Sequence, residues 1–380
     1  MYGGGKIIFG IFGDYIKAVD YTGTQIWETE NDNFISSPGS IAYSDLHGTY
    51  GFYTGEENGR MNGYDAGDGS VLAGWPTNYL WGGQERHTPA LYDLDGDGLL
   101  ENISASGSTS SGVAITAVHQ DATVYWNTYI PKGEVDTYPA VGDVDNDGSV
   151  DIIVVGSESI SPFRSEVFVL SATGEIERSW LLGSGVPYGT APALADLNGD
   201  RVPEIIVQTD GYVYAMDGYG NELPGWPYSL GSYYWIGNSS PVIGDVDGDY
   251  KPEIVFTSYD YYHTGSPSYF YILNHDGTDV SGFPMRIDYI DHGAVPAIAD
   301  IDRDCHNEVI ITGDFWDGYT GYYPTVWAFD LSRMSPGINL GGIKAHGNIE
   351  WGQFMSNASH TGVYSPVRTI CITSNPADPM

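Results

Sequence analysis

The sequence predicts an all-β protein, a β-propeller of four-stranded blades, from two observations. Residues 190–207 read TAPALADLNGDRVPEIIV, and related segments occur at 88–103, 138–154, 240–256 and 295–311. Their leading prolines are 50, 53, 49 and 55 residues apart, and a period of about 50 residues in a β-type sequence is typical of propeller blades. The 380 residues also include 51 Gly and 30 Tyr, a composition that favours turns and strands over helices.

The repeat pattern can be followed from the start of the chain. Residues 6–30 contain three strand-like runs that match the second, third and fourth strands of a later repeat, so we interpret them as a partial blade. Residues 35–80 form a worn repeat, in which Asp45 fits the first acidic position. His47 and Thr49 replace the next two carboxylates, and we therefore expect no tight metal binding in this repeat.

Five complete repeats follow, over residues 88–331, and each predicts four strands joined by an acidic loop, a variable loop and a Gly-containing turn. Several repeats carry a Gly-aromatic-Pro motif in what we interpret as the last strand, at 74–76, 225–227 and 282–284. Proline suits the outer strand of a blade because it cannot donate a hydrogen bond to a neighbouring strand.

The end of the chain predicts how the ring closes. The period stops after residue 331, and the segment 348–373 remains, with the apolar run VRTICIT at 367–373. A strand from this segment would complete the partial blade at 6–30 and remove the open sheet edges. We therefore predict one propeller domain over residues 1–380, with seven blades and a ring closed by the N- and C-terminal segments.

Charge and hydropathy exclude two classes of partner. The net charge is −36, with only 14 Lys and Arg, and such a surface repels nucleic acid and anionic lipid. No apolar run approaches the roughly 18 residues of a membrane span, so we expect no membrane insertion. The first residues show no charged region followed by a cleavage site, so no export signal is visible.

Three glycosylation sequons and two cysteines bear on the cellular compartment. The sequons begin at Asn102, Asn238 and Asn357 and are compatible with an exported protein. Cys305 and Cys371 either form a disulfide that fixes the C-terminal segment near the last repeat or remain unpaired.

The acidic loops carry oxygen donors at alternate positions, which suits a hard cation such as Ca²⁺. With the first Asp as position 1, side-chain donors fall at positions 1, 3, 5 and 9, and a backbone carbonyl is expected at position 7. These carboxylates repel one another unless a cation lies among them; the alternative is an acidic turn without metal. The predicted ligands of about five Ca²⁺ ions are Asp93, Asp95, Asp97, Leu99 and Glu101; Asp143, Asp145, Asp147, Ser149 and Asp151; Asp196, Asn198, Asp200, Val202 and Glu204; Asp245, Asp247, Asp249, Lys251 and Glu253; and Asp300, Asp302, Asp304, His306 and Glu308. One equivalent site per repeat indicates a structural role, because a catalytic metal usually occurs once.

The repeated PALADLNGD…EIIV segment and the EWGQFMSNASHTG segment near the C-terminus resemble FG-GAP/VCBS-type repeat proteins, the integrin-alpha-like β-propellers. The resemblance covers nearly the whole chain. It implies that the acidic segment joins the first two strands of a blade and holds calcium. It also implies an extracellular or cell-surface module for binding or adhesion, although a minority of the family carries lyase activity.

The predicted strand order places the variable loops on the face opposite the calcium loops. These loops and the linkers between blades are rich in Tyr and Trp, which offer rigid amphipathic contact area to a protein or a glycan. The alternative is that the rings pack between neighbouring loops. We predict partner-binding residues at Tyr234, Trp235, Tyr261 and Tyr322.

Two other functions stay open beside non-catalytic binding or adhesion. Contact between copies of the chain would build a filament or surface layer, which dense Tyr and scarce Lys favour. A polysaccharide-lyase-like enzyme would need a base and a cation, for which the candidates are Arg86, His87, His263, Asp291 and His292. We expect no enzyme, because no nucleophile elbow, HExxH or phosphate loop occurs in the sequence.

Overall fold

A computed structural model describes residues 6–11, 13–35, 39–56, 59–77, 88–105, 113–130, 138–157, 164–183, 190–231, 239–258, 268–287, 295–301, 306–316, 322–331 and 349–351. Within these ranges every long regular element is a β-strand and every strand pairing is antiparallel, which confirms the predicted all-β class. Among the same residues no helix is long and apolar enough to cross a membrane.

The described residues fall into two compact units that divide between Pro192 and Ala193. The first unit contains two three-stranded sheets followed by two four-stranded sheets. Their strands are β1 (Lys6–Ile11), β2 (Gly13–Asp20) and β3 (Gln25–Ile35); β4 (Ser40–Ser44), β5 (Thr49–Gly55) and β6 (Met61–Asp65); β7 (Ala90–Tyr92), β8 (Glu101–Ala105), β9 (Val113–Val118) and β10 (Val124–Ile130); and β11 (Ala140–Gly142), β12 (Asp151–Ser157), β13 (Ser165–Ser171) and β14 (Ile176–Leu181).

The second unit repeats the arrangement with three further sheets. Their strands are β15 (Ala193–Ala195), β16 (Glu204–Thr209), β17 (Tyr212–Met216) and β18 (Tyr228–Ser229); β19 (Val242–Gly244), β20 (Glu253–Ser258), β21 (Ser268–Leu273) and β22 (Met285–Ile287); and β23 (Ala297–Ala299), β24 (Glu308–Trp316) and β25 (Tyr322–Asp330). In each four-stranded sheet the strands pair in chain order, as a propeller blade requires.

The core lies between consecutive sheets within each unit. The second strands, such as β12 (DIIVVGS) and β20 (EIVFTS), are buried along their whole length, because both of their faces are covered. In the first unit, Tyr53 and Met61 pack against Leu91 and Val118 of the next sheet. The face-to-face packing explains why a single repeat cannot bury its apolar residues alone.

Tryptophan side chains also link consecutive sheets by hydrogen bonds. In four cases among the described residues, the indole Nε1–H donates to a backbone carbonyl in the turn that follows the third strand of the next sheet. The pairs are Trp27 with Ala66 (3.2 Å), Trp75 with Gln120 (2.8 Å), Trp126 with Ala172 (2.9 Å) and Trp226 with His275 (3.3 Å).

The Gly-aromatic-Pro motifs lie in turns, not within the last strands as the sequence predicted. Pro227 directly precedes β18, and Pro284 directly precedes β22. The motif glycines have φ between 92° and 96°, a left-handed conformation that favours glycine. A Cβ on Gly74 would also collide with the carbonyl oxygen of Asp121 in the next sheet. The motif therefore positions its aromatic ring against a neighbouring turn.

A short C-terminal strand joins the second unit. This strand, β26 (Ile349–Trp351), pairs with β19 in the 242–287 sheet and not with the partial blade at 6–30. The rest of the proposed closing segment, 352–373, lies outside the described residues, as do Cys305 and Cys371. Ring closure and the single-domain assignment therefore stay predictions.

One of the three sequons is inaccessible in the fold. Asn102 lies in β8, and its side chain is completely buried. The folded protein therefore cannot present Asn102 for glycosylation, and the Asn102 sequon carries no information about export. Asn238 and Asn357 lie outside the described residues.

Candidate metal centres

Four acidic loops lie wholly within the described residues, and each joins the first strand of its sheet to the second. We name them loops 1 to 4: residues 93–100 between β7 and β8, 143–150 between β11 and β12, 196–203 between β15 and β16, and 245–252 between β19 and β20. Each is followed directly by its closing acid at position 9. This placement is the one that the family resemblance implied.

The first Asp of each loop organises the loop backbone. In loop 4, Asp245 Oδ1 accepts a hydrogen bond from the Gly248 amide at 2.7 Å, and its Oδ2 accepts one from the Tyr250 amide at 2.9 Å. The equivalent bonds to Asp93 and Asp196 measure 2.7–3.0 Å. In loop 2, Asp143 Oδ2 accepts from the Gly148 amide at 3.0 Å, whereas its Oδ1 accepts from the amide at position 5, that of Asp147, at 3.2 Å. The loop is thus wrapped around the side chain at position 1.

Two residues in the left-handed region make this wrapping possible. Loop 1 has Gly96 at φ 75° and Gly98 at φ 90°, at positions 4 and 6. Position 4 is Gly or Asn in all four loops, as the steric cost of positive φ requires. Position 6 is less restricted, since Arg201 and Tyr250 adopt φ of 75° and 72° there.

The acids at positions 3 and 5 form short side-chain turns. Asp95 Oδ1 accepts from the Asp97 amide at 3.0 Å, and Asp97 Oδ1 accepts from the Leu99 amide at 2.7 Å. The same two bonds recur in loops 2, 3 and 4. Each Asp at these positions uses one oxygen in this way, which fixes the direction of its other oxygen, whereas Asn198 at position 3 of loop 3 uses the only oxygen of its side chain.

The closing acid at position 9 is buried and held in one orientation. One of its oxygens accepts a hydrogen bond from the backbone amide at position 2, and this bond is present in all five repeats. The pairs are Glu101 with Leu94 (2.7 Å), Asp151 with Val144 (3.0 Å), Glu204 with Leu197 (2.7 Å), Glu253 with Val246 (2.9 Å) and Glu308 with Ile301 (2.8 Å).

The second oxygen of the closing acid distinguishes the loops. In loop 1 it lies 3.1 Å from His119 Nδ1. In loop 2 it accepts from the Arg178 guanidinium at 3.2 Å, and in loop 3 it accepts from the Asn198 side-chain amide. In loop 4, Glu253 Oε1 is buried and has no hydrogen-bond partner in the part of the chain that the structure describes. The same loop conformation therefore places the second oxygen of the closing acid in four different environments.

Loops 1, 2 and 4 bring carboxylate oxygens together as a metal site requires. In loop 4, ligand oxygens of Asp245, Asp247 and Glu253 lie within 4.8 Å of one another, and those of Asp143, Asp145 and Asp151 in loop 2 do the same. In loop 1 the acids that come together in this way are those at positions 1, 3 and 5, Asp93, Asp95 and Asp97. The loop 4 donors are all oxygens, and Glu253 is completely buried with one oxygen unpartnered. A buried, unpaired carboxylate oxygen is costly, so the residues present fit a hard divalent cation.

The titration behaviour agrees with this geometry. Burial, together with the neighbouring Asp247 carboxylate, raises the pKa of Glu253 to about 9. Burial likewise raises the pKa of Glu204 to about 7 and that of Asp245 to about 6. Close carboxylates in a desolvated loop resist ionisation unless a cation compensates them.

All the predicted metal ligands remain predictions. The carbonyls of Leu99, Ser149, Val202, Lys251 and His306 belong to described residues, but their role as ligands is untested. In the fifth loop, Asp302 and Asp304 lie outside the described residues, whereas Asp300 and the buried Glu308 lie at the two ends of that loop.

The worn repeat has a short turn where the other repeats have an acidic loop. Residues 45–48 join β4 to β5. His47 Nδ1 lies 2.8 Å from the Ser44 hydroxyl, and its Nε2 lies 3.0 Å from the Ala73 carbonyl. Both imidazole nitrogens of His47 therefore lie within hydrogen-bond distance of neighbouring residues of the same repeat.

The predicted recognition and catalytic residues lie mostly outside the described residues. This holds for Tyr234, Trp235 and Tyr261, and for all five candidates of the enzyme interpretation, Arg86, His87, His263, Asp291 and His292. Tyr322 is the first residue of β25. Their proposed functions are therefore neither supported nor contradicted.

Comparison with known proteins identifies the repeats. A family model described as FG-GAP-like repeat matches residues 143–207 and 196–256. These residues are FG-GAP-like repeats. Each of the two matches begins at the first Asp of an acidic loop, at Asp143 and at Asp196, and together they contain loops 2, 3 and 4. A comparison with curated protein sequences finds no match.

Two solved structures are similar to this chain. The Vibrio cholerae biofilm matrix protein Bap1 is 19% identical, with a TM-score of 0.47 over 70% of this chain, and the chain spans 42% of the length of that protein. BBS1N, solved in complex with ARL6DN, is 12% identical, with a TM-score of 0.49 over 82% of this chain and 84% of that one.

Sequence analysis missed two residues that contact the acidic loops. His119 follows β9 and reaches loop 1, and Arg178 lies in β14 and reaches loop 2. Both lie in the chain beyond the acidic loop itself, so the loop motif contains no trace of them. The available signal for Arg178 was the rarity of basic residues, since the whole chain has only 14.

Proposed function

We propose that the acidic loops bind Ca²⁺ and that the ions stabilise the blades that contain these loops, by fixing the connection between the first two strands. The single observation that supports this most strongly is Glu253, whose completely buried carboxylate leaves Oε1 unpartnered beside Asp245 and Asp247. The ligands would be those predicted from the sequence, with Asp245, Asp247, Asp249 and Glu253 in loop 4. Bound calcium would supply the positive charge that this oxygen cluster otherwise lacks.

We further propose that the protein is an extracellular, non-catalytic module for binding, adhesion or surface assembly, built as a seven-bladed propeller. The matched FG-GAP-like repeats and the repetition of one loop in successive blades support a stabilised scaffold. The extracellular location is supported by calcium itself, because modules outside the cell operate with dissociation constants of about 10⁻⁴–10⁻³ M.

Calcium titration of metal-stripped protein tests the metal proposal. Calorimetry is expected to detect several Ca²⁺ per chain, and thermal unfolding is expected at a higher temperature in calcium than in chelator. Glu253→Gln should remove one ion, whereas Glu222→Gln, a change of the same charge at an exposed residue, should remove none. Full calcium binding by Glu253→Gln would contradict the assignment of loop 4.

The module's role is tested by its assembly and its partners. Light scattering and negative-stain imaging with calcium, and again after chelation, separate calcium-dependent polymers from discrete particles. For discrete particles, glycan and protein screening follows, with alanine at Tyr234, Trp235, Tyr261 and Tyr322. Binding that survives all four changes would remove the loop-rich face as the recognition surface.

A further inference from the structure

The second acidic loop already contains a positive charge of its own. Arg178 Nη1 lies 2.6 Å from Asp145 Oδ2, and its Nη2 lies 3.2 Å from Asp151 Oδ1. Asp145 and Asp151 are positions 3 and 9 of loop 2, two of the ligands that a calcium ion would need. One guanidinium therefore bridges the middle and the end of the loop.

Arg178 is held in this place by the surrounding fold. It lies in β14, directly opposite Val169 of β13, and its side chain is 19% exposed. The turn before β14 is anchored to the preceding sheet, because Trp126 donates to the Ala172 carbonyl and Thr128 donates to the Gly174 carbonyl. The position of the guanidinium thus follows from strand register and does not depend on a flexible surface side chain.

The bridge occupies the oxygens that a metal would use. Asp151 Oδ2 accepts from the Val144 amide, so Oδ1 is the oxygen left for a ligand, and Arg178 holds it. Asp145 Oδ1 accepts from the Asp147 amide, so Oδ2 is left, and Arg178 holds that oxygen as well. A calcium ion entering loop 2 must displace the guanidinium or lie close to it, and like charges at such separations repel strongly.

We propose that Arg178 is the resident cation of loop 2, so that this loop is ordered without metal and binds Ca²⁺ at least 100-fold more weakly than loop 4. The proposal rests on the proposed calcium function of the other loops. The loops then differ in their response to calcium. Loop 4 becomes ordered as the calcium concentration rises, whereas loop 2 is ordered at any calcium concentration. The chain then binds one fewer ion in physiological calcium than its acidic motifs indicate.

The test is hydrogen exchange of the full chain, measured by mass spectrometry over a range of free calcium concentrations. Peptides that cover residues 143–151 and 245–253 report loops 2 and 4 separately. In wild-type protein, loop 4 should gain protection as calcium rises, with a midpoint at least 100-fold below that of loop 2. Without calcium, loop 2 should already be the more protected of the two.

Arg178→Gln should lower the calcium midpoint of loop 2 to within about tenfold of the loop 4 value, and it should remove the protection of loop 2 in chelator. The matched control is Arg286→Gln, the same charge change at an exposed residue of β22, the fourth strand of its sheet as β14 is of its own. It should leave both midpoints unchanged. Equal midpoints of loops 2 and 4 in wild-type protein would overturn the proposal.

The outcomes separate this inference from the proposed function. If no loop responds to calcium, the metal proposal fails, and Arg178 is then judged by the metal-free protection of loop 2 alone. Protection of loop 2 above loop 4 in chelator supports the resident cation, and equal protection contradicts it. If Arg178→Gln does not fold, the wild-type midpoints decide.

Discussion

Loops 2 and 4 share one scaffold and differ in what compensates their negative charge. Both wrap their amides around the first Asp, and both fix the closing acid on the amide at position 2. In loop 2 a guanidinium bridges positions 3 and 9, whereas in loop 4 the closing acid has a buried oxygen without a partner. The repeat sequence therefore determines the conformation of the loop, but it does not determine which positive charge compensates the carboxylates.

The largest expected effect comes from the closing acids themselves. Glu253→Gln should lose the calcium stabilisation of loop 4, which is about 3 kcal/mol when calcium is 100-fold above the dissociation constant. Asp151→Asn breaks the ion pair with Arg178 and should cost about 2 kcal/mol in calcium and in chelator alike. Denaturant unfolding in both conditions measures the contrast. Calcium-dependent destabilisation by Asp151→Asn would mean that loop 2 holds metal as well.

A half-buried carboxylate outside the acidic loops tests whether burial alone explains the behaviour of loop 4. Asp210 lies in the two-residue turn between β16 and β17, and its buried Oδ1 has no hydrogen-bond partner among the described residues. Burial raises the pKa of Asp210 from 3.8 to about 7. The folded state therefore binds a proton more tightly than the unfolded state, and stability falls as the pH rises from about 4 through 7.

Asp210→Asn should accordingly be more stable than wild-type protein at pH 8, by about 2 kcal/mol, and the difference should vanish near pH 4. Unfolding in chelator at pH 4, 6 and 8 measures it, with the exposed Glu222→Gln as the variant that should show no such dependence. A variant that is equally stable or less stable at pH 8 would show that Asp210 is compensated in the folded protein.

The tryptophan hydrogen bonds between sheets allow the sheets that contain loops 2 and 4 to be compared without any effect of metal. Trp126→Phe removes the hydrogen bond at 2.9 Å that anchors the turn before Arg178 and should cost about 1.5 kcal/mol. Trp226→Phe removes the longer bond at 3.3 Å in the second unit and should cost less. Both costs should be the same with and without calcium. If Trp126→Phe destabilises the protein only in chelator, bound metal must be holding loop 2 in place when this hydrogen bond is absent.

Internal repetition explains why so much of the site could be predicted from the sequence. The recurrence of acids at fixed positions in five copies located the loops, because each copy needs oxygen donors at those positions. It also predicted a strand directly after each loop, and the second strand of each of these sheets begins at the closing acid. These features are local, and a motif contains everything that determines them.

The features that sequence analysis missed depend on contacts between distant residues. Arg178 reaches loop 2 from a strand 27 residues beyond Asp151, and only the register of β13 with β14 brings it there. The Gly-aromatic-Pro motif indicated an edge strand, yet its geometry is set by a neighbouring turn. The partner of β26 is likewise decided by a long-range pairing. A single sequence contains no direct signal for such choices.

The finest difference between the two loops is at position 6. Gly148 of loop 2 has φ 88°, and Tyr250 of loop 4 adopts φ 72° at the same position. A Cβ on Gly148 would contact no atom within 4 Å, so Gly148→Ala should cost backbone strain alone, about 1 kcal/mol. Denaturant unfolding measures this cost, and hydrogen exchange should show an unchanged calcium midpoint for loop 4. Because Tyr250 shows that the position accepts a side chain, a cost above about 2 kcal/mol would mean that loop 2 needs Gly148 for the placement of Arg178.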